Sequence, residues 1–168
     1  MDKIYVTKWN SPIGDMILGE YDGKLCLSDW YNRKHRNRID RRICDSLSAE
    51  YHYSKTKFIE SAIIEIEEYF QAKRTVFSVP LLPLGSEFQK SVWLELMNIE
   101  YGKTANYSEI AKRIENPNSV RAVSTAIGMN ALSIFIPCHR IISKDSKLSG
   151  YAGGIEAKQK LLDIEKLL

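Results

Sequence analysis

The first 30 residues combine short runs of β-branched and aromatic residues with turn residues. Residues 4–9, IYVTKW, have the composition of a strand. Two further apolar runs flank Asp22-Gly23, a dipeptide that favours a two-residue hairpin turn. We therefore predict an antiparallel meander over residues 3–30. Residues 31–55 are polar and show neither strand nor helix periodicity, which predicts an irregular segment.

Apolar residues then recur at the spacing of three and four that one helix face requires. This spacing predicts an amphipathic helix over residues 57–72, and its apolar face comprises Ile59, Ala62, Ile63, Ile66, Tyr69 and Phe70. Another helix follows Ser86, which can serve as its N-cap. A last one covers residues 155–168, with Leu168 on its inner face.

Two prolines and Gly85 separate the first of these helices from the next, which marks a boundary near residues 80–86. We predict two domains, 1–82 and 85–168. The first would be a small sheet with at least one helix and the second mainly helical, so the fold class is mixed α/β (α+β).

Residues 106–129 have the proportions of a helix-turn-helix. We predict one helix over residues 108–114, with Ser108 as N-cap, and a second over residues 119–129. Pro117 lies in the polar turn between them, and a proline cannot sit inside a helix. A helical hairpin with no DNA-binding role is the alternative that the pattern leaves open.

Composition excludes several classes of protein. Of 168 residues, 44% are hydrophobic and 27% charged, as in ordinary globular proteins. No apolar run reaches the ~18 residues of a membrane span, and the N-terminus lacks the apolar core of a signal peptide. Three cysteines without a CxxC pair predict free thiols and no zinc site. We expect a cytoplasmic protein that does not bind membranes.

Charge is distributed unevenly, although the net charge is only +3. Residues 103–147 contain seven basic and three acidic side chains, a balance of +4 that fits a surface facing phosphates. Residues 33–42 contain six basic side chains and one acid, Asp40. Both segments are also compatible with solvated helix faces, and the second with an additional DNA contact.

The candidate chemistry lies at Cys138 and His139, which follow a predicted strand over residues 133–136 that Pro137 ends. A cysteine reacts as its thiolate, and so it needs a base or a nearby positive charge. Because neighbouring side chains of a strand point to opposite sides, contact between the two requires a turn or a bridging water. Glu165, beside the apolar face of the last helix, is a candidate third member. A buried structural cysteine and a solvated glutamate remain open alternatives.

Six motifs occur in a fixed order over residues 85–168: FQKSVW, YGKTANYSEIA, NPNSVRAV, IPCHRII, LSGYAGG and LLDIE. Together they resemble the O6-alkylguanine-DNA alkyltransferases, also called methylated-DNA–protein-cysteine methyltransferases. The opening SPIGDMILGEYDGKL resembles the N-terminal domain of that family more weakly. The resemblance implies a ribonuclease-H-like N-terminal domain and a C-terminal domain with a winged-helix-like helix-turn-helix.

The resemblance also implies DNA repair by direct reversal. The family transfers a methyl or larger alkyl group from the O6 atom of guanine to its own cysteine, and we include the O4 atom of thymine as a second target. Each molecule acts once, without cofactor or metal. The implied partner is double-stranded DNA containing O6-alkylguanine, bound by a monomer through the minor groove with the target base flipped out.

By their positions in the motifs, Cys138 would be the nucleophile, His139 the base that acts through a water, and Glu165 the group that orients His139. Tyr107 would donate a hydrogen bond to N3 of the leaving guanine. DNA and pocket contacts are implied for Arg121, Ser124, Asn130, Pro137, Ile141, Tyr151 and Ala152. Of these, Arg121 would fill the vacated base stack, and Asn130 would tie the helix-turn-helix to the active-site loop.

The sequence departs from the family pattern at Ser124, Ala131 and Ser143, where many members have glycine, proline and glycine. None of these changes removes a predicted catalytic group. Two other functions are compatible with the motifs. One is a non-catalytic DNA lesion sensor or DNA-binding regulator with an inert Cys138, and the other is a thiol hydrolase that uses Cys138, His139 and Glu165.

Overall fold

The computed structural model describes residues 1–148 and 150–166, so Leu168, predicted on the inner face of the last helix, lies outside the described residues. The four strands, β1 (Asp2–Ser11), β2 (Gly14–Tyr21), β3 (Lys24–Trp30) and β4 (Ala49–Tyr53), form a sheet in the order β3-β2-β1-β4. The predicted meander is confirmed, since β1, β2 and β3 pair antiparallel. Asp22 and Gly23 both have positive φ, at 50° and 72°, as a type I′ hairpin turn requires.

The prediction of an irregular segment over residues 31–55 is wrong. Helix α1 (Arg36–Leu47) and strand β4 occupy most of it, and β4 pairs parallel with β1. Within α1 only Ile39 and Ile43 are buried. Two apolar positions among many basic ones give too weak a periodicity to predict a helix, and β4 is short and largely exposed at the sheet edge.

Helices cover both faces of the sheet. On one face, α1 packs against a small core that includes Ile4, Val6 and Leu27. On the other face, α2 (Lys57–Phe70) begins at the N-cap Thr56 and packs against Met16, Leu18 and Leu25. This second core continues without interruption into the helices of the second half of the chain.

The second half contains α3 (Glu87–Met97), α4 (Tyr107–Arg113), α5 (Val120–Gly128) and α6 (Ile155–Lys166). The described residues thus contain six α-helices and one four-stranded sheet, which confirms the mixed α/β class. Asn106, not the predicted Ser108, is the N-cap of α4, because it forms a reciprocal capping box with Glu109. The Trp93 indole of α3 donates to the Ala126 carbonyl over 2.9 Å and holds α5 in place.

Two segments of the chain cover the outer edge of β3, one from the linker and one from the second half. Leu25 exchanges backbone hydrogen bonds of 2.8 Å with Pro80 and Leu82. Ser28 does the same with residues 131 and 133, at 2.8 and 2.7 Å. The strand predicted over residues 133–136 is wrong, since Ser133 and Ile136 face each other across a turn in which Ile134 has a φ of 76°. The domain boundary near residues 80–86 stays a prediction.

Candidate active site and DNA-binding surface

Cys138 lies in a tight turn that Pro137 initiates. The backbone angles of Pro137, φ −80° and ψ 64°, are those of an inverse γ-turn, and the Cys138 N–H donates to the Ile136 carbonyl over 2.8 Å. A single 3-10 turn over Cys138–Arg140 follows. This double turn, rather than the end of a strand, presents Cys138 and His139.

Asn130, just beyond α5, ties that helix to the turn. Its side-chain amide donates to the Ile136 carbonyl over 3.0 Å, and its side-chain oxygen accepts from the Leu132 N–H over 2.9 Å. The hydrogen bonds fit the tie predicted for Asn130. A displacement of α5 would therefore be transmitted to the backbone next to Cys138.

A cavity of about 190 Å³ opens beside the thiol. Its described lining comprises Tyr107, Ser124, Ile127, Gly128, Cys138, Gly150 and Tyr151. Tyr107 reaches it because Ala105, just before α4, pairs with the chain after the turn through hydrogen bonds of 3.0 and 2.9 Å to residues 140 and 142. We refer to this space as the thiol cavity.

The structure brings some of the predicted site residues together and separates others. Tyr107, Ser124 and Tyr151 share the thiol cavity with Cys138. Pro137 instead lines a second cavity, of about 660 Å³, on the other side of the turn. Ile141 is buried and Ala152 half-buried, and neither is among the described lining of the thiol cavity. Arg121 is exposed on α5.

A buried polar network lies behind the turn. Glu165 of α6 accepts hydrogen bonds from His139 Nε2 at 2.6 Å, from the Tyr69 hydroxyl at 2.6 Å and from Arg140 Nε at 2.9 Å. The Gly102 N–H also donates to this carboxylate, over 3.1 Å. Burial by itself would raise the pKa of Glu165, but the donors from His139, Arg140 and Tyr69 outweigh it and lower the pKa to about 2. We refer to His139, Glu165, Arg140 and Tyr69 as the Glu165 network.

His139 is held neutral in this network. Burial lowers the pKa of His139 more than its hydrogen bond to Glu165 raises it. Because Nε2 donates to the carboxylate, Nδ1 carries the lone pair, and this buried atom has no hydrogen-bond partner among the described residues. A neutral imidazole with a buried acceptor nitrogen and a carboxylate behind it can accept a proton.

The surroundings of Cys138 favour the thiol over the thiolate. Burial raises the pKa of Cys138, and the opposing hydrogen bond from Asn130 is weaker. Cys138 is only 7% exposed, and the Glu165 carboxylate is bonded to His139 Nε2. Cys138 therefore rests as a thiol, and its proton must leave as the sulfur reacts.

Three further residues belong to the site but are not predicted from the sequence. Arg140 directly follows His139 in the IPCHRII motif and Tyr69 lies on the apolar face of α2, where a buried hydroxyl needs a partner. Lys158 is 1% exposed on α6, and burial lowers its pKa while the nearby Cys138 acts to raise it. The signal for Lys158 is its position three residues before Leu161 on the inner face of α6.

Comparison with known proteins identifies related sequences and folds. A family model described as the 6-O-methylguanine DNA methyltransferase, DNA binding domain, matches residues 87–167. The methylated-DNA–protein-cysteine methyltransferase of Haemophilus influenzae is 37% identical over 168 residues, which cover 99% of this chain and 89% of that protein. The constitutive methylated-DNA–protein-cysteine methyltransferase of Bacillus subtilis is 36% identical over 97% of this chain and 96% of its own.

A solved structure extends the comparison to the fold. The crystal structure of Mycobacterium tuberculosis OGT in complex with DNA matches with a TM-score of 0.81 and 33% identity, over 97% of this chain and 93% of that one. Fold and site thus define a mixed α/β DNA-binding protein with a buried cysteine beside a histidine–carboxylate pair. The chain belongs to the methylated-DNA–protein-cysteine methyltransferase family.

Two features are absent from the described residues. No helix among them is long and apolar enough to cross a membrane. Within the same residues, no group of three or more histidine, cysteine, aspartate or glutamate side chains is arranged to hold a metal ion.

Proposed function

We propose that this protein repairs DNA by transferring a methyl or larger alkyl group from the O6 atom of guanine to Cys138, with the O4 atom of thymine as a second target. The bond between oxygen and the alkyl carbon breaks as the sulfur–carbon bond forms. The resulting thioether is not released, so each molecule acts once. The observation that carries the proposal is the position of Cys138, which lines a cavity with Tyr107 while the Glu165 network lies behind it.

The proton path follows from the protonation states of the two groups. Since the pKa of Cys138 is raised and that of His139 lowered, the resting pair is a thiol and a neutral imidazole. His139 would take the thiol proton through Nδ1, by way of a water, as the sulfur attacks. The Glu165 carboxylate would stabilise the imidazolium that forms. Tyr107 would donate to N3 of the guanine as negative charge develops on it.

DNA is the partner in this proposal, and the lesion must leave the duplex to react. A sulfur recessed in a cavity cannot reach a stacked base, so the nucleotide must flip out at a cost of a few kcal/mol. Arg121, exposed near the start of α5, would occupy the vacated stack from the minor groove. Ala122 and Thr125, exposed on the same helix, are small enough for close approach to the backbone.

The role of Arg121 can be separated from general DNA binding. The Arg121→Ala variant should repair O6-methylguanine in duplex DNA more slowly than the wild type, yet react with free O6-benzylguanine at an unchanged rate. The free base needs no flipping, so it serves as the control substrate. Equal losses on both substrates would argue for a structural role.

Three free cysteines in the described residues support a reducing compartment, and we propose that the protein acts as a monomer in the cytoplasm. The alternative of a non-catalytic lesion sensor is not favoured, because the matched relatives of Haemophilus influenzae and Bacillus subtilis are named as methyltransferases.

The decisive test uses intact-protein mass. A duplex containing O6-methylguanine should increase the mass of the protein by one methyl group in place of a hydrogen, with one lesion consumed per molecule. An otherwise identical duplex with unmodified guanine should leave the mass unchanged. Binding without a mass increase would support the lesion sensor, and repeated turnover of an ester or peptide would support the hydrolase.

A further inference from the structure

Five of the six basic residues over 33–42 divide into two sets by the exposure of their side chains, and the sixth, Arg36, pairs with Asp29 and Asp40. Arg33 and Arg42 point inwards and are mostly buried in contacts with the second half of the chain. Lys34, Arg38 and Arg41 are exposed. The inward set binds the second half of the chain. These contacts fix the position of the exposed set on the protein surface.

The inward set holds the C-terminal end of α5. The Arg33 guanidinium donates to the carbonyls of Gly128 and Asn130, and Arg42 Nη2 donates to the Met129 carbonyl over 2.9 Å. These are the last carbonyls of a helix, which lack partners within the helix and carry partial negative charge. Arg42 also stacks over Trp93, with 5.3 Å between the guanidinium carbon and the ring centroid. The start of α1 is therefore fixed beside the end of α5.

The outward set extends from this contact over the surface. Arg38 lies one turn before Arg42 on α1, and its side chain is exposed. Arg41 follows Arg38 by three residues, and Lys34 directly follows the clamped Arg33. Arg38 and Arg41 therefore lie about one turn apart on α1, and Lys34 lies in the turn before the helix. We refer to Lys34, Arg38 and Arg41 as the row, which lies beside the end of the helix that carries Arg121.

The acids near this row leave its charge largely uncompensated. Asp29 is fully buried and lies within 3.3 Å of Arg33 and 3.1 Å of Arg36. Asp40 accepts from Arg36 over 2.8 Å and from the Tyr51 hydroxyl over 2.7 Å. Asp45 is exposed one turn beyond Arg41 and has no ion pair among the described residues. The row itself therefore presents three positive charges to solvent.

The length of α5 gives the scale of this arrangement relative to DNA. Arg121 and Gly128 are seven residues apart on α5, or about 10 Å along its axis at 1.5 Å per residue. That is roughly three base pairs at 3.4 Å each. A duplex that places its minor groove over α5 would thus bring the phosphates a few nucleotides from the flipped base close to α1.

We propose that Lys34, Arg38 and Arg41 form a second DNA-contact surface, on the first half of the chain, that binds the phosphate backbone flanking the lesion. The inference rests on the proposed function, since it requires α5 to bind DNA. Phosphate contacts carry no sequence information. The surface would therefore strengthen binding to damaged and undamaged duplexes alike, and its effect would depend on salt.

The test compares two triple variants that remove the same charge. Lys34→Ala/Arg38→Ala/Arg41→Ala removes the row, and Lys3→Ala/Lys55→Ala/Lys57→Ala removes three exposed lysines at the start of β1 and at α2, which covers the opposite face of the sheet from α1. Binding to a duplex with long flanks is measured against salt concentration. Each lost phosphate contact should reduce the slope of log affinity against log salt by about 0.9, so we expect a reduction of up to about 2.7 in the first variant and none in the second.

Two further measurements make the outcome unambiguous. On a duplex too short to supply flanking phosphates, the row variant and the wild type should bind equally. Both variants should react with free O6-benzylguanine as fast as the wild type, which shows that they are folded. An unchanged salt slope in the row variant, or an equal change in both variants, overturns the inference. If the wild type itself failed to bind DNA, the proposed function would fail instead.

Discussion

Two cavities flank the turn over residues 137–140, and they differ both in volume and in the chemistry of the residues that line them. The larger, about 660 Å³, is lined by apolar groups such as Phe77 and Phe135, whose ring centroids are 4.6 Å apart, and its Arg140 is already bonded to Glu165 and Ile99. The thiol cavity, about 190 Å³, contains a cysteine, two tyrosines and a serine. The comparison teaches that cavity volume alone does not point to the proposed reactive site. The better guide is a nucleophile and hydrogen-bond donors that surround one cavity.

The largest expected effect assigns the chemistry to the thiol cavity. Cys138→Ala should abolish alkyl transfer, because the sulfur makes the new bond. Affinity for duplex DNA should stay within about twofold, since α5 and its Arg121 are untouched. Intact-protein mass and a binding titration check both parts. Cys44→Ser, at a half-buried position in α1, is the matched control and should retain full transfer. A methyl adduct on the Cys138→Ala protein would move the reaction elsewhere.

Filling each cavity in turn sharpens the comparison. Ser124→Trp should obstruct the thiol cavity and slow the reaction with free O6-benzylguanine by about a hundredfold, or about 2.7 kcal/mol in the barrier. Val76→Trp, at an exposed position lining the larger cavity, should leave that rate within about twofold. Reaction kinetics with the free base measure both. If the Val76 variant were the slower one, the larger cavity would be the substrate site.

The Glu165 network borders the larger cavity through Arg140, and its contribution to alkyl transfer should be smaller. Glu165→Gln keeps the size but removes the charge that stabilises a His139 imidazolium, so we expect transfer at pH 7 to slow by about tenfold, or about 1.4 kcal/mol. Higher pH should restore part of the rate, because the thiol then ionises without help.

The double variant distinguishes a relay from simple support of the fold. Adding His139→Ala to Glu165→Gln should cost little more than the worse single change, since the two groups act as one unit. Thermal unfolding of each variant provides the control. Unaltered pH–rate profiles in the folded variants would show that the network only anchors α6.

The smallest expected effect is on stability against pH. The pKa of His139 is lowered in the folded protein, so the unfolded chain binds this proton first as pH falls below about 6.5, and folding becomes less favourable. Glu165, whose folded pKa is about 2, adds a further loss as pH falls below about 4.3. Urea unfolding at pH 7, 5.5 and 4 should show a stepwise decrease. His139→Gln should remove the first step and reduce the second, because His139 is the main group that lowers the pKa of Glu165.

The motifs predict the proposed reactive residues but not their electrostatics. Adjacent cysteine and histidine in IPCHRII are visible in the sequence, and Glu165 is predicted from its place at the edge of an apolar face. Arg140 and Tyr69 are bonded to Glu165 across 25 and 96 residues of chain, and no local pattern reports such distant partners. The raised pKa of Cys138 likewise depends on burial, which only the packed structure determines.

Elements with strong local signals were predicted better than those that depend on tertiary contacts. The hairpin at Asp22-Gly23 needs positive φ at both residues and the sequence supplies residues that tolerate it. Helix α1 is instead stabilised by two isoleucines against the sheet and by Arg42 against α5. The exposed surface of α1 is basic, so its sequence shows a cluster of charges rather than the apolar periodicity that predicts a helix.

The pairing of β3 with residues 131 and 133 has a consequence for how the chain is made. Ser28 and Ser133 are hydrogen-bonded although 105 positions separate them. At the usual 5–20 residues per second, the ribosome needs roughly 5–20 s to supply the second partner after the first. For that interval the edge of β3 is an open template for other nascent strands, and such edges promote aggregation. Slow translation or heat should therefore reduce the yield of folded protein, because chains misassemble at the unpaired edge of β3.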